Sequence, residues 1–360
     1  MKSGTSLKYK TIQALHSWFL HAKRNFPWRD QPTPYRVLVS EIMLQQTQAS
    51  VVESYFLRWM TQFPTLQSLA IAPLERVYKA WEGLGYYRRA RGLKHIAEFL
   101  CNTQQDIPNT IEKLLQLPGI GPYTAGAIAS FAFHQKAAAI DGNVMRVLAR
   151  YFAIQENPLS SKGIKIFHEH ALLFLETSEP WVLMEALIEL GATLCKKKPL
   201  CTTCPLRDSC LAFQEQRIEE FPVKTCSPQR VISTQKQLLL LVHQQQLLLY
   251  KEPRGRLLGD LAQFPSFLYS KEMSAENHAQ SQLGLFARLV CHLPIETQSF
   301  TKYKETLFPT ILLVHDTKAM QKQDVKAYFW CAIEELRQLS FTSGHKRVME
   351  NFLQQKDKLC

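Results

Sequence analysis

The chain has 360 residues, 46% hydrophobic and 21% charged, with a formal net charge of +12. That length predicts two domains rather than one core, and the hydrophobic share excludes a disordered chain. No apolar run reaches the roughly 20 residues that span a bilayer, and the basic start MKSGTSLKYK leads into no signal-like stretch. A cytoplasmic protein without membrane contact is therefore expected. The positive charge favours a polyanionic partner, nucleic acid first, although a merely basic soluble protein has the same balance.

From about Leu7 to Leu211 the pattern reads as helix after helix, with no strand-like alternation. Thr33-Pro34 supplies a cap followed by proline at the first helical position, opening the helical run YRVLVSEIMLQQ. Glu41 sits inside that run among Val37, Leu38, Leu44 and Gln45. A carboxyl on an apolar stripe should hold its proton near neutrality, whereas one at the stripe's edge would simply reach solvent. Gly83-Leu84-Gly85 and Pro118-Gly119-Ile120-Gly121 interrupt the pattern, each before another helical run.

The second break belongs to LPGIGPYTAGAI, residues 117–128. Gly119 and Gly121 permit a tight turn and Pro122 can start the next helix, leaving N–H groups free for a phosphate. This is the helix-hairpin-helix signature, a sequence-independent clamp on a DNA backbone. Asp141 follows the apolar AAAI and opens DGNVMRVLARYF, where the helix dipole and free N–H groups favour an ionised carboxylate. An ordinary cap would look the same. A protonated acid and a fixed anion are together what glycosidic cleavage requires: one neutralises the leaving base, the other faces the cationic sugar.

Cys195, Cys201, Cys204 and Cys210 form C-x5-C-x2-C-x5-C, while the other five cysteines are scattered. Four thiolates so spaced can wrap one zinc or one [4Fe–4S] cluster; the single C-x2-C knuckle and the short arms favour the latter. Lys196, Lys197 and Lys198 lie in the first arm, placed to meet DNA phosphates or merely solvated. After residue 211 the composition shifts, and EEFPVKTCSPQRVISTQKQ reads as a linker. QLLLLVHQQQLLLYKEP looks like two strands around a Gln-rich turn. FPTILLVHD and KAYFWCAI are further strand candidates, and SGHKRVMENFLQ reads as a terminal helix, which makes the second domain α+β.

The motifs PWR, SEIMLQQTQ, GLGYYRRAR, LPGIGPYTAGAI, IDGNVMRVLAR and ALIELGA, with the cysteine group, resemble MutY-type adenine glycosylases of the endonuclease III superfamily over nearly the whole chain. The resemblance implies a mainly α helix-hairpin-helix glycosylase fold in residues 1–212. A six-helix barrel would occupy about 30–140, and an iron–sulfur helical subdomain 1–29 and 141–212. A linker at 213–233 and a MutT/Nudix-like recognition domain at 234–360 would follow. It further implies base excision repair by a monomer acting on duplex DNA with A:8-oxoG or A:G mispairs, with one [4Fe–4S] cluster, in the cytoplasm at the nucleoid. Glu41 would protonate adenine, Asp141 would stabilise the cationic sugar, Asn143 would hold the water or the carboxylate, and Tyr123 would contact the reaction centre. Trp28, Arg29 and Glu185 would line the pocket of the flipped adenine, since the bond is inaccessible inside a duplex. Gln45, Gln46 and Tyr86 would enter the stack around the opposing guanine.

LLLYKEPRGRLLGDLAQFP resembles the opening hairpin of that recognition domain, but no Nudix box of metal-binding carboxylates follows, so a reader of the opposite base is expected there. This chain departs from the family in the five-residue first arm of its cysteine group, in Met145, and in Phe300-Thr301-Lys302, where the family carries Phe-Ser-His. Thr301 keeps the hydroxyl. Two alternatives stand beside this reading. An endonuclease III-like glycosylase/lyase needs a hairpin lysine as Schiff base, yet Tyr123 stands at that point and no Lys lies between Leu117 and Phe133. The other is a non-catalytic DNA-binding protein built on zinc.

Overall fold

Local chemistry sets the helix ends. Thr33 caps the helix that Pro34 begins, its hydroxyl accepting from the Arg36 N–H at 3.4 Å, and the aspartate at position 141 caps another. In chain order the helices are α1 (Lys2–Ala22), α2 (Pro27–Asp30), α3 (Pro34–Leu44), α4 (Ala49–Gln62), α5 (Leu66–Ile71), α6 (Leu74–Trp81) and α7 (Arg88–Asn102). There follow α8 (Ile111–Leu114), α9 (Pro122–Ala127), α10 (Gly142–Tyr151), α11 (Ser161–Phe174), α12 (Pro180–Thr193) and α13 (Leu211–Gln214). This computed structural model describes residues 2–223, 231–252, 261–300, 302–316 and 327–355. Thr301, part of the expected linker and part of the expected opening hairpin lie outside them.

By its contacts the chain divides into two units, Met1–Ala72 with Gly92–Ser227, and Pro73–Arg91 with Pro228–Cys360. The regular elements among the described residues of the first are all helices. Its core is built on large apolar side chains such as Trp59, Phe56, Phe63 and Met43, all fully buried. Helix α3 runs through that core, with every residue from Val37 to Met43 buried. Residues 73–91, expected by chain order in the barrel, group instead with the second unit. Their polar groups are taken up there: Lys79 Nζ donates to the Leu339 carbonyl at 3.2 Å, and Lys346 Nζ to Glu82 Oε2 at 2.8 Å.

The second unit holds β1 (Ile232–His243), β2 (Gln246–Lys251), β3 (Ala262–Gln263), β4 (Ser266–Leu268), α14 (Ala275–Leu283) and β5 (Phe286–His292). It continues with β6 (Glu296–Phe300), β7 (Tyr303–Asp316), β8 (Tyr328–Ala332) and α15 (Ser343–Gln355). The sheet order is β3-β2-β1-β7-β5, with β4 also on β1, β6 on β7 and β8 on β2. The Gln-rich turn is present, and Gln244 and Gln245 both take positive φ, 44° and 62°. A two-residue turn of that hand matches the strand twist. The unbroken Leu run of β1 is explained by burial on both faces. Leu238, Leu240 and Val242 pack with Val348 and Phe352 of α15, and Leu239 and Leu241 pack with Ala279 and Leu283 of α14. Strands β3 to β6 carry too little periodicity for the sequence to reveal them.

Candidate active site

Because α3 is buried along its length, Glu41 is carried inside, only 5% exposed. Burial pushes its carboxyl up to about 7, helped by the nearby Glu185 and Asp141 carboxylates and opposed by the Tyr123 hydroxyl and Arg29. Tyr123, in the first turn of α9, donates to Glu41 Oε2 at 2.8 Å. Burial beside those carboxylates holds the Tyr123 phenol well above its ordinary value. A carboxyl titrating near neutrality is suited to general acid work.

Asp141 caps α10, accepting from the Asn143 and Val144 N–H groups at 2.9 and 2.8 Å and from the Asn143 amide at 2.7 Å. Burial raises its carboxyl, and those donors with Arg146 oppose the shift. The expectation of a carboxylate governed by dipole and N–H groups is therefore corrected: desolvation is the larger influence. All three donated bonds nevertheless satisfy an anion. Asn143 is itself held by Arg146, whose Nη2 donates to Asn143 Oδ1 at 2.9 Å and to the Gly191 carbonyl at 2.8 Å. A Cβ on Gly191 would come within 2.6 Å of Asn143 Cβ, so only glycine lets α12 pass so close to the cap.

Glu41, Tyr123, Asp141 and Asn143 line one cleft of about 650 Å³ together with Trp28, Arg29, Gln45, Gln46 and Glu185. Trp28 is stacked on Phe26 at 4.6 Å and edge-on to Phe56 at 5.6 Å, which fixes a flat apolar wall. The π-helical turn Ile128–Ala132 adds Phe131 to the lining. Gln45 Nε2 donates to Thr124 Oγ1 at 3.3 Å, and Gln46 takes a left-handed φ of 59°. Tyr86 is not part of this cleft. It lines another, of about 640 Å³ in the second unit, with Tyr87, Ser299 and Phe300. Arg24, Glu189 and Arg146 escaped the sequence reading. The spacing Glu185-x3-Glu189, which puts two carboxylates on one helix face, was the signal that could have found Glu189.

In the hairpin, Gly119 has φ 80° and Gly121 caps α9 in extended backbone; around both, a Cβ would meet open space. Lys196, Lys197 and Lys198 are exposed. The carbonyls of Lys196 and Lys197 accept from Arg150 Nη1 and Nη2 at 2.6 and 3.3 Å, so the arm carrying the three lysines is pinned from beneath.

Among the described residues, no group of three or more His, Cys, Asp or Glu side chains already stands as a ligand set for a metal ion. The four clustered cysteines do line one small cavity. Burial pushes the Cys204 thiol up to about 12 and raises Cys201 and Cys210, and the sulfurs raise one another. Arg150 Nη1 lies 3.4 Å from Cys195 Sγ, and backbone N–H groups of Leu206 and Phe213 point at Cys204 and Cys210. Four sulfurs on one cavity, three of them supplied with such donors, fit a thiolate-ligated group.

Residues 39–170 match the family described as HhH-GPD superfamily base excision DNA repair protein. The chain is 36% identical to an adenine DNA glycosylase of Arabidopsis thaliana, covering 73% of this chain and 48% of that protein. A human adenine DNA glycosylase is 43% identical over 58% of this chain and 40% of its own length. The chain thus spans about half the length of the curated relatives it matches first. One from Buchnera aphidicola subsp. Baizongia pistaciae is 32% identical, with 72% and 75% covered. Among solved structures, a thermostable thymine-DNA glycosylase aligns at TM-score 0.55 and 25% identity, covering 59% of this chain and 99% of that one. A trapped endonuclease III–DNA covalent intermediate, at TM-score 0.50 and 23% identity, shares the fold. With three quarters of a bacterial relative covered at 32% identity, and the buried acid, capped carboxylate and hairpin in one unit, this chain belongs to the adenine DNA glycosylase family of the HhH-GPD superfamily.

Proposed function

We propose that the protein hydrolyses the N-glycosidic bond of adenine mispaired with guanine or 8-oxoguanine in duplex DNA, as a monofunctional base excision enzyme. The observation that carries this reading is Glu41, a buried acid raised to about 7 and hydrogen-bonded by Tyr123, on the wall of a cleft it shares with the Asp141 carboxylate. The adenine, flipped from the stack, enters that cleft against Trp28, with Arg29 and Glu185 at its polar edge. Glu41 donates its proton to the leaving base. Asp141, held by the Asn143 and Val144 N–H groups and the Asn143 amide, faces the oxocarbenium-like sugar, and Asn143 holds the attacking water or the carboxylate. Gln45 and Gln46 occupy the stack around the opposing base. The open backbone at Gly119 and Gly121 receives a phosphate, and Lys196, Lys197 and Lys198 receive others.

Cys195, Cys201, Cys204 and Cys210 would hold one [4Fe–4S] cluster, which when bound would supply a rigid inorganic core for the lysine-bearing loop. The second unit serves as a MutT-like reader of the opposite base, with Thr301 as its hydrogen-bonding group. No helix among the described residues is long and apolar enough to cross a membrane. The protein acts as a monomer on DNA, in the cytoplasm at the nucleoid.

The experiment is single-turnover base release from duplexes carrying A opposite 8-oxoguanine, G, C and T, with the full chain and with Thr301→Val. Release opposite the first two alone supports the reading. A Thr301→Val rate falling selectively on 8-oxoguanine supports the reader role. Equal release from all four duplexes overturns the mispair specificity.

A further inference from the structure

Helix α12 places Glu185 and Glu189 one turn apart on one face, and the two carboxylates are used very differently. Glu189 has no exposed surface, and both of its oxygens are occupied. Its Oε1 accepts from Arg24 Nε at 2.5 Å, and its Oε2 accepts from Arg24 Nη2 at 3.3 Å and from Arg29 Nη2 at 3.0 Å. Arg29 Nη1 donates to the Arg24 carbonyl at 2.8 Å. Arg29 Nε lies 3.1 Å from Glu185 Oε2, yet Glu185 accepts no aligned hydrogen bond among the described residues. Glu185 thus meets the cation through Oε2, and its Oε1 has no partner among the described residues, at the wall of the cleft.

We propose that Glu189 is a positioning residue for base selectivity: by taking the Nη2 bond of Arg29 it limits that guanidinium to its Nε contact with Glu185 Oε2, so that Glu185 Oε1 is left to accept the exocyclic amino group of the departing purine. The inference rests on the glycosylase reading above. A guanidinium and a carboxylate at this separation close into a two-bond fork when nothing restrains them. Glu189 and the Arg24 carbonyl hold both Nη groups of Arg29 turned away from that fork. Charge balance alone does not require the arrangement, since Arg24 already supplies a cation to the buried Glu189 and the further bond from Arg29 is additional. What it supplies is direction. A carboxylate with free lone pairs attracts a 6-amino group and repels a 6-oxo group, and a buried hydrogen bond of that kind discriminates more strongly than added apolar contact.

The test uses the full chain and two duplexes, one with adenine opposite guanine and one with unsubstituted purine, which lacks the 6-amino group, in the same place. In Glu189→Gln the charge is lost and the shape kept, so Arg29 Nη2 joins Nε on Glu185 and closes the fork over Oε1. Single-turnover release of adenine should fall about 10- to 100-fold, the worth of one charge-assisted bond, while release of unsubstituted purine falls less than about threefold. Glu189→Asp, which keeps the anion, should recover most of the adenine-to-purine ratio. Equal losses on both bases, or an unchanged ratio, overturn the proposal. If Glu189→Gln does not fold by its circular dichroism melt, the charge-balanced double variant Arg24→Gln/Glu189→Gln is scored in its place, and failure of both to fold makes Glu189 a folding residue and overturns it too. A wild-type protein that releases no adenine overturns the glycosylase reading instead, which separates the two failures.

Discussion

The Tyr123 hydroxyl donates to Glu41 Oε2 at 2.8 Å across 82 positions of sequence, joining the hairpin helix to the buried helix α3. The bond does two opposed things. It favours the ionised carboxylate, yet it anchors the carboxyl inside the core, where burial outweighs it and raises the group to about 7. The residue that would meet the phosphate-binding hairpin and the residue that would carry the proton are thus neighbours.

Adenine release should follow the protonated form of Glu41, so the rate should fall as pH rises through about 7. Glu41→Gln should abolish release while leaving mismatch binding nearly intact. The raised carboxyl also bears on stability. Folded Glu41 holds its proton up to about 7, the unfolded chain only to about 4.5, so its contribution is fully present below the lower value and is lost as pH rises through the upper. The loss amounts to roughly 3 kcal/mol once ionisation is complete. Glu41→Gln should therefore melt higher than wild type at pH 8, and near wild type at pH 4. Thermal melts across that range check it, and a constant difference in Tm would contradict the buried-acid assignment.

The two hairpin glycines should separate folding from binding. Gly119 stands at φ 80°, where a side chain is strained, so Gly119→Ala should cost about 1 kcal/mol of stability. Gly121 lies at φ −97° with open space around it, so Gly121→Ala should leave Tm unchanged. If a phosphate approaches that backbone, the same methyl should weaken binding to duplex DNA several-fold. Titration of both variants with an undamaged duplex decides this, and equal affinity for Gly121→Ala and wild type would remove the hairpin from the DNA contact.

The cysteine group should hold iron. Protein purified under mild, oxygen-poor conditions should be yellow-brown and contain about four irons per chain. Cys204→Ser should lose colour and iron, with a lower melting temperature because metal binding and folding are coupled. One tightly bound zinc without iron would show that the spacing builds a zinc site.

Tyr123 stands where a lyase would need a Schiff-base lysine, so the product should be an abasic site in an intact strand. Borohydride trapping on a cleaved duplex should capture little protein. Efficient capture, lost on replacing one particular lysine, would reverse this assignment.

What the sequence by itself determined is local. The Thr33-Pro34 helix start, the Asp141 cap, the breaks at Gly83-Leu84-Gly85 and at Gly119, and the Gln244-Gln245 turn all stand where the residues imply, because each depends on backbone chemistry within a few positions. The terminal helix and the long strands were legible from apolar runs for the same reason. The tertiary structure alone decided what depends on distant partners. Strands β1 and β7 pair in parallel from Ile232↔Tyr303 to Val242↔Leu313, a pairing that no local period encodes. Residues 73–91 join the second unit through Lys79, Glu82 and Lys346. Glu41 could have reached solvent from the edge of its stripe, and its burial was settled by the helices packed around α3. The Arg24–Glu189 pair, 165 positions apart, exists because burying a carboxylate demands a cation wherever in the chain one can reach it.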